Sequence, residues 1–192
     1  MPTPTDEPIA RFGDDPNEEF DRVDLDDRVI GRMRRGDAHC DPGLIHRSVQ
    51  VIVFTSDGRV LLQRRAASKD LFPGYLCASA SGHVMAGDDY EQTAWRELIE
   101  ELGVEPAIIY LDKALVRSEM ETEITALFIA RCDGPFTFSP TETNGGIFLA
   151  LDDALALRND PQAEITPALR VALDEIARRA ATGRLGVALD AL

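Results

Sequence analysis

Residues 82–104 read GHVMAGDDYEQTAWRELIEELGV, and this stretch decides how the chain is interpreted. Glu97, Glu100 and Glu101 stand at positions i, i+3 and i+4, so a helix presents all three carboxylates on one face. Asp88 or Asp89 precedes the helix as an N-cap, and Gly103 follows it where a left-handed backbone is common. The pattern therefore predicts a helix over residues 89–102 with an acidic face.

Three like charges on one helix face repel each other, by about 0.2–0.5 kcal/mol per pair. A divalent cation reverses this repulsion, because carboxylate oxygens are ligands that Mg²⁺ and Mn²⁺ prefer. Mg²⁺ also keeps coordination positions for water and substrate phosphate. An acidic helix face can equally be a solvated surface, so the pattern alone leaves both interpretations open.

Outside this helix, runs of β-branched and apolar residues predict strands. RSVQVIVF and RVLLQ flank the turn SDGR, which predicts a β-hairpin over residues 47–64. The other predicted elements are a first strand and turn within 21–38, strands at 76–81, 122–131 and 145–151, and a helix from Thr166 to about Ala181. This order predicts an α/β fold in which helices cover a mixed β-sheet.

The chain has 192 residues and a formal net charge of −14. The length predicts a single domain over residues 21–192, and the acidic, apolar-poor composition of residues 1–20 predicts a flexible tail. The negative charge argues against nucleic-acid polymers and membranes as partners. The sequence has three cysteines, no CxxC pair, no signal peptide and no membrane-spanning run, which predicts a cytoplasmic protein.

Residues 82–104 resemble the Nudix box: Gly, five residues, Glu, seven residues, then Arg-Glu-apolar-x-Glu-Glu-x-Gly-apolar. The positions in register are Gly82, Arg96, Glu97, Leu98, Glu100, Glu101, Gly103 and Val104. Asp88 departs from the pattern, since it stands where the family has the longer Glu. The resemblance to the Nudix hydrolase superfamily implies the Nudix fold, a mixed β-sheet sandwiched between α-helices.

The resemblance also implies a divalent metal site, occupied by Mg²⁺ or Mn²⁺. Its ligands would be the carboxylates of Glu97, Glu100 and Glu101, with the Gly82 carbonyl as a further ligand. Arg96 would orient a glutamate of the box, while Asp88 and Gly103 would have structural roles.

The implied reaction is the attack of water on a phosphorus atom of a small diphosphate compound, with a glutamate taking the water proton. Besides Glu100 and Glu101, Glu123 outside the box is a candidate for this base. The implied partner is therefore a small-molecule diphosphate, and a homodimer is the default assembly.

Three further stretches, HCDPGLIHRSVQVIVF, QRRAASKDLFPG and SGHV, resemble the isopentenyl-diphosphate isomerase branch of the superfamily. In that branch a metal is held by three histidines and two glutamates. The matching residues here are His39, His46, His83, Glu121 and Glu123. Arg65 and Lys69 match positions that hold the diphosphate, a task suited to cations beside an anionic substrate.

Two features favour a hydrolase over the isomerase. Ser81 stands where the isomerase has its catalytic cysteine, and Cys77 lies four residues upstream, too far to replace it. The full Arg-Glu-x-x-Glu-Glu signature is also present. The sequence therefore predicts a metal-dependent hydrolase of a nucleoside diphosphate or related metabolite. The alternatives are the isomerase and a non-catalytic nucleotide-binding module.

Overall fold

The computed structural model describes residues 15–192. The first elements are β1 (Glu19–Val23), β2 (Val29–Arg34) and α1 (Arg35–Ala38). The central elements are β3 (Ile45–Phe54), β4 (Arg59–Arg65), β5 (Leu76–Cys77), β6 (Ala80–His83), α2 (Tyr90–Leu102), β7 (Ile108–Arg117), β8 (Thr122–Arg131) and β9 (Thr143–Ala150). The last elements are α3 (Leu151–Ala156), a 3-10 turn (Leu157–Asn159), α4 (Pro167–Ala181) and α5 (Arg184–Asp190).

Strands β3 to β9 form one mixed sheet. Its order is β5-β4-β3-β8-β7, with β6 added on β3 and β9 on β4. β3 and β8 run parallel over their whole length, and the other pairs are antiparallel. β3 and β4 pair only at their turn, at Val53↔Leu61 and Phe54↔Val60, and β6 then takes the place of β4 beside β3. This divergence opens the sheet at the end where the predicted site residues lie.

Helices cover both faces of the sheet, which confirms the predicted fold class. Ile52 and Ile129 pack in one apolar cluster with Leu173 of α4. Val51 and Phe128, which alternate with them along the strands, pack in a second cluster with α2. Between residues 15 and 192, no helix combines the length and the apolar composition needed to cross a membrane.

Most predicted elements are confirmed, but the segment 76–81 is not one strand. It forms β5, which pairs with β4, and β6, which pairs with β3. Between them, the Ser79 hydroxyl accepts a hydrogen bond from Val53 N at 2.7 Å and donates to the Leu61 carbonyl at 2.5 Å. Ser79 thus bridges the diverging strands β3 and β4, which ends the regular pairing.

The N-terminal region also differs from the prediction. Instead of one strand and a turn, residues 19–38 form the antiparallel β1–β2 hairpin followed by α1. Glu19 and Phe20, assigned above to the flexible tail, belong to β1, and Phe20 is fully buried. Its ring lies 5.2 Å from the ring of His46 and 4.9 Å from that of His83, measured between centroids. Residues 1–14 of the predicted tail lie outside the described residues.

Replacing Phe20 with Ala should destabilise the protein by about 3–5 kcal/mol, because the change removes a fully buried ring and leaves a cavity. Ile30→Ala on the neighbouring strand is the matched control, since Ile30 is 56% exposed and should cost less than about 0.5 kcal/mol. Urea unfolding of both variants measures the difference. Equal stability of the two variants would show that Phe20 does not anchor the hairpin.

Candidate active site

Helix α2 begins and ends where the sequence predicts. The Asp89 side chain, rather than that of Asp88, caps it by accepting a hydrogen bond from Gln92 N at 2.8 Å. Gly103 ends the helix in the left-handed conformation, with φ of +67°. Leu98 and Leu102 are buried against the sheet. With the apolar side fixed in this way, the acidic side of the helix borders the opening in the sheet.

The Glu97 carboxylate packs directly on Gly82 of β6. A Cβ atom on Gly82 would lie 2.1 Å from Glu97 Oε1, so only glycine leaves room for this carboxylate. Arg96 Nη1 lies 3.1 Å from Glu97 Oε1 and 3.4 Å from Glu100 Oε2, and Arg96 Nη2 donates to the His83 carbonyl at 3.2 Å. Arg96 therefore links two carboxylates of α2 to β6.

Glu101 is held by a residue that the sequence reasoning missed. Gln63 of β4 donates through Nε2 to Glu101 Oε2 at 2.7 Å and to the Ser79 carbonyl at 2.5 Å. Gln63 is 1% exposed. The only sequence signal was one polar residue after the apolar run Val60–Leu62, and such a residue can also mark the end of a buried strand.

Burial dominates the electrostatics of these carboxylates. It raises the pKa of Glu97 to about 8, while the Arg96 guanidinium lowers this pKa and the Glu100 carboxylate raises it. Burial also holds the pKa of Glu101 well above its ordinary value, with a further increase from the nearby Glu97. Ionised carboxylates in this setting need a compensating positive charge. The donor set is hard oxygen, which suits Mg²⁺ or Mn²⁺.

A second cluster is formed by His39, His46, His83 and Glu121, whose ligand atoms all lie within 4.8 Å of one another. Glu121 Oε2 is its centre, at 3.2 Å from the Nε2 of His39, 3.6 Å from that of His46 and 3.8 Å from that of His83. His46 lies on β3 and His83 on β6, while His39 follows α1 and Glu121 directly precedes β8, so the fold brings together three distant parts of the chain.

Several polar atoms of this second cluster are buried without a hydrogen-bond partner among the described residues. They are His39 Nε2, His46 Nδ1, His46 Nε2 and Glu121 Oε2. Buried polar groups are normally paired, so atoms left in this state fit the ligands of a metal ion. Burial lowers the pKa values of His46 and His83 well below the ordinary value, which keeps both imidazoles in the neutral form that binds metals.

Two polar side chains support the histidines, and neither was anticipated. Arg35 Nη1 lies 2.9 Å from His83 Nδ1, and Asp70 Oδ2 lies 3.3 Å from His39 Nδ1. Because a guanidinium only donates, His83 Nδ1 accepts in the first contact, which leaves the proton of the neutral ring on Nε2. The contact between His39 and Asp70 is of the kind that orients a metal-binding imidazole, since there Nδ1 can donate to a carboxylate and leave Nε2 free as a ligand. Arg35 lies 48 residues from His83 and Asp70 lies 31 residues from His39, so no local pattern marks either contact.

Glu123, the fifth residue of the predicted histidine and glutamate set, lies outside the four-residue cluster. It pairs with His46 in the β3–β8 register and is 8% exposed. Burial and the nearby Glu121 carboxylate raise the pKa of Glu123 to about 8, although the neighbouring Ser48 hydroxyl lowers it. Glu123 is thus placed beside the cluster, with a proton affinity suited to exchange near neutral pH.

A cavity of about 380 Å³ joins the two groups of residues. The predicted site residues that line it are Arg65, Lys69, Gly82, His83, Arg96, Glu97, Glu100, Glu101, Glu121 and Glu123. Arg65 Nε donates to the Leu71 carbonyl at 3.0 Å, and Lys69 Nζ donates to Glu142 Oε2 at 2.8 Å. Both cations line the same cavity as the carboxylates.

Cys77 also lines this cavity, but its thiol is not poised to react. Burial raises the pKa of Cys77 to about 12, with a further increase from Glu101, so the thiolate is absent near neutral pH.

The family model of the NUDIX domain matches residues 44–169, which include α2 and the strands that line the cavity. The chain belongs to the Nudix family. It is an enzyme that acts on diphosphate bonds. The predicted family and fold are therefore confirmed.

Individual Nudix proteins show the same relationship. An uncharacterized Nudix hydrolase of Pseudomonas aeruginosa is 35% identical over 157 residues, which cover 79% of this chain and 91% of the relative. Isopentenyl-diphosphate Delta-isomerase 1 of Photorhabdus laumondii is 28% identical over 152 residues, covering 76% and 86%. The crystal structure of a Deinococcus radiodurans protein superposes with a TM-score of 0.69 at 27% identity, covering 81% of this chain and 97% of that one.

Replacing Gly82 with Ala should weaken divalent metal binding by at least about tenfold, because the added Cβ occupies the position of the Glu97 carboxylate. Calorimetric titration with Mn²⁺ measures this change. Gly31→Ala is the control, since nothing lies within 4 Å of a Cβ built there. Unchanged Mn²⁺ affinity in the Gly82 variant would show that metal binding does not depend on the packing of Glu97 against Gly82.

The metal-free Nudix protein should lose stability as the pH rises from about 6.5 to about 8. Native Glu97 and Glu123, with pKa values of about 8, keep protons that unfolded glutamates have released, so the native state binds more protons. His46 and His83, whose pKa values are lowered from 6.5, oppose this trend only below that pH.

Thermal unfolding after treatment with a chelator measures this pH dependence. Added Mn²⁺ should raise the melting temperature more at pH 8 than at pH 6.5, because fewer protons compete for the carboxylates. A melting temperature that increases with pH over this interval would contradict the assignment.

Proposed function

We propose that this enzyme is a metal-dependent hydrolase that cleaves a diphosphate linkage in a nucleoside diphosphate or a related small metabolite. The observation that carries the proposal is the convergence of buried Glu97 and Glu101 with the cations Arg65 and Lys69 around one cavity. Carboxylates that hold a divalent ion and cations that hold phosphate oxygens are complementary parts of a diphosphate site.

In the proposed reaction, a water oxygen forms a bond to one phosphorus, and the bond from that phosphorus to the bridging oxygen breaks. Arg65 and Lys69 hold the diphosphate oxygens, and a carboxylate accepts the water proton. Glu100, Glu101 and Glu123 are the candidates for this base. Mg²⁺ or Mn²⁺ held by Glu97, Glu100, Glu101 and the Gly82 carbonyl would neutralise phosphate charge.

We propose a second metal position in the cluster of His39, His46, His83 and Glu121. The buried unpartnered atoms of that cluster support this assignment. Imidazole ligands favour transition ions such as Zn²⁺ and Fe²⁺, whereas Mg²⁺ and Mn²⁺ prefer oxygen ligands such as the Glu121 carboxylate. Glu123, adjacent in the sheet, could complete the ligand set or act as the base.

Isopentenyl-diphosphate isomerisation is the second candidate, because the histidine cluster is the arrangement that the isomerase resemblance implies. Against it, Ser81 lines the cavity at the position of the isomerase cysteine, and the Cys77 thiol has a pKa of about 12. Neither group donates and removes protons readily at a carbon atom near neutral pH. A homodimer and a cytoplasmic location remain predictions of the sequence.

Replacing Glu101 with Gln should reduce metal-dependent turnover by about a hundredfold or more, since the amide keeps the hydrogen-bonding shape but lacks the charge. Phosphate and nucleoside monophosphate release from a panel of nucleoside diphosphates and sugar nucleotides, with Mg²⁺ or Mn²⁺, measures turnover. Glu91→Gln on the exposed side of α2 is the control and should retain wild-type rates.

Three results would contradict the proposal. Wild-type rates in the Glu101 variant would show that this carboxylate has no role in turnover. Conversion of isopentenyl to dimethylallyl diphosphate by the wild type would favour the isomerase. Tight nucleotide binding without turnover of any compound would favour a non-catalytic module.

A further inference from the structure

Along β3, the sheet face that carries His46 changes from charged and polar residues to apolar ones. His46 pairs with Glu123 of β8, and Ser48 lies between His83 and Thr125. Gln50 follows on the same face, between Ser81 of β6 and Leu127 of β8, and Ile52 after it belongs to the apolar core. Gln50 and Ser81 therefore form the last polar layer between the metal-ligand residues and the core.

Gln50 is a buried amide in an unusual state. It is 3% exposed, it lines the cavity, and its Oε1 atom is buried without a hydrogen-bond partner among residues 15–192. Ser48, two residues before Gln50 on the same sheet face, does not pair with this oxygen. The Ser48 hydroxyl instead forms a hydrogen bond with the Thr125 hydroxyl at 2.5 Å. An amide oxygen left in this state costs free energy, unless a group inside the cavity pairs with it.

The cavity therefore distinguishes two kinds of substituent on a diphosphate. A nucleoside or sugar offers hydroxyl and amino groups that can pair with the Gln50 amide. A hydrocarbon chain at the same place would displace water and leave the amide unpaired. Sites built around a buried hydrogen-bonding group reject an analogue that lacks its partner far more strongly than apolar pockets reject an added methylene.

We propose that Gln50 is a specificity residue, whose side-chain amide binds a polar group of the organic part of the substrate. This inference rests on the proposed diphosphate-hydrolase function and names its substrate class: diphosphates of a nucleoside or sugar rather than of an isoprenoid. Ser81, the cross-strand neighbour of Gln50, contributes a second polar group to the same layer. In this proposal the metal ligands recognise the diphosphate, and the polar layer of Gln50 and Ser81 recognises the organic group that the diphosphate carries.

The test compares the wild type with Gln50→Met, which keeps the length and unbranched shape of the side chain but removes its hydrogen-bonding groups. Gln92→Met is the matched control, because Gln92 lies on the exposed side of α2. Binding of isopentenyl diphosphate and of the α,β-methylene analogues of ADP, CDP, GDP and UDP is measured by calorimetry with Mg²⁺. Thermal unfolding checks the fold, and Gln50→Leu serves if the Met variant does not fold.

We expect the wild type to bind at least one nucleotide analogue about tenfold or more tightly than isopentenyl diphosphate. Gln50→Met should weaken that nucleotide by about tenfold or more without weakening isopentenyl diphosphate. An equal loss of affinity for all four nucleotides would indicate that Gln50 binds the ribose. A loss of affinity for one nucleotide alone would indicate that Gln50 binds its base. Binding of Mn²⁺ alone and the behaviour of Gln92→Met should match the wild type.

Equal effects of Gln50→Met on both kinds of diphosphate, or no effect on either, would overturn the inference. A wild type that prefers isopentenyl diphosphate would also overturn it. The proposed hydrolase activity fails separately, if the wild type releases no phosphate from any nucleotide while binding still depends on Gln50. If the wild type and the Gln50 variant both hydrolyse nucleotides and have the same substrate preference, the hydrolase function is supported. Only the proposed role of Gln50 is then wrong.

Discussion

Packing the Glu97 carboxylate on the Cα of Gly82 is the constraint around which the site is arranged. It brings a charged group of α2 into the opening where β3 and β4 diverge, and it requires a residue without a side chain on β6. Arg96 and Gln63 then hold the carboxylates in place. The high pKa values of Glu97 and Glu101 show the electrostatic consequence, which is a site that needs an added positive charge.

Strand β6 connects the two groups of site residues. Neighbouring residues of a strand face opposite sides of the sheet, so Gly82 meets α2 while His83 joins the histidine cluster. The Arg96 contact with the His83 carbonyl couples them further. Movement of β6 would therefore disturb both groups together. The N-terminal hairpin adds to this rigidity, because buried Phe20 packs on the rings of His46 and His83.

Local signals made α2 predictable, since its acidic spacing, its capping aspartate and Gly103 lie within a few residues of one another. The three histidines and Glu121 could be named only through the family resemblance, because the contacts among them cross the sheet. Gln63, Arg35 and Asp70 could not be found, since each acts on a residue far away in sequence. The break at Ser79 and the burial of Phe20 were missed for the same reason: tertiary contacts outweigh local composition there.

The central claim is that these carboxylates serve the attack of water on phosphorus. The most direct measurement is the reaction of a nucleoside diphosphate in H₂¹⁸O with Mg²⁺ or Mn²⁺, followed by mass spectrometry of the products. Hydrolysis predicts one ¹⁸O atom in one phosphate-bearing product, and its position identifies the phosphorus that is attacked. Turnover without ¹⁸O in any phosphate product would contradict the account.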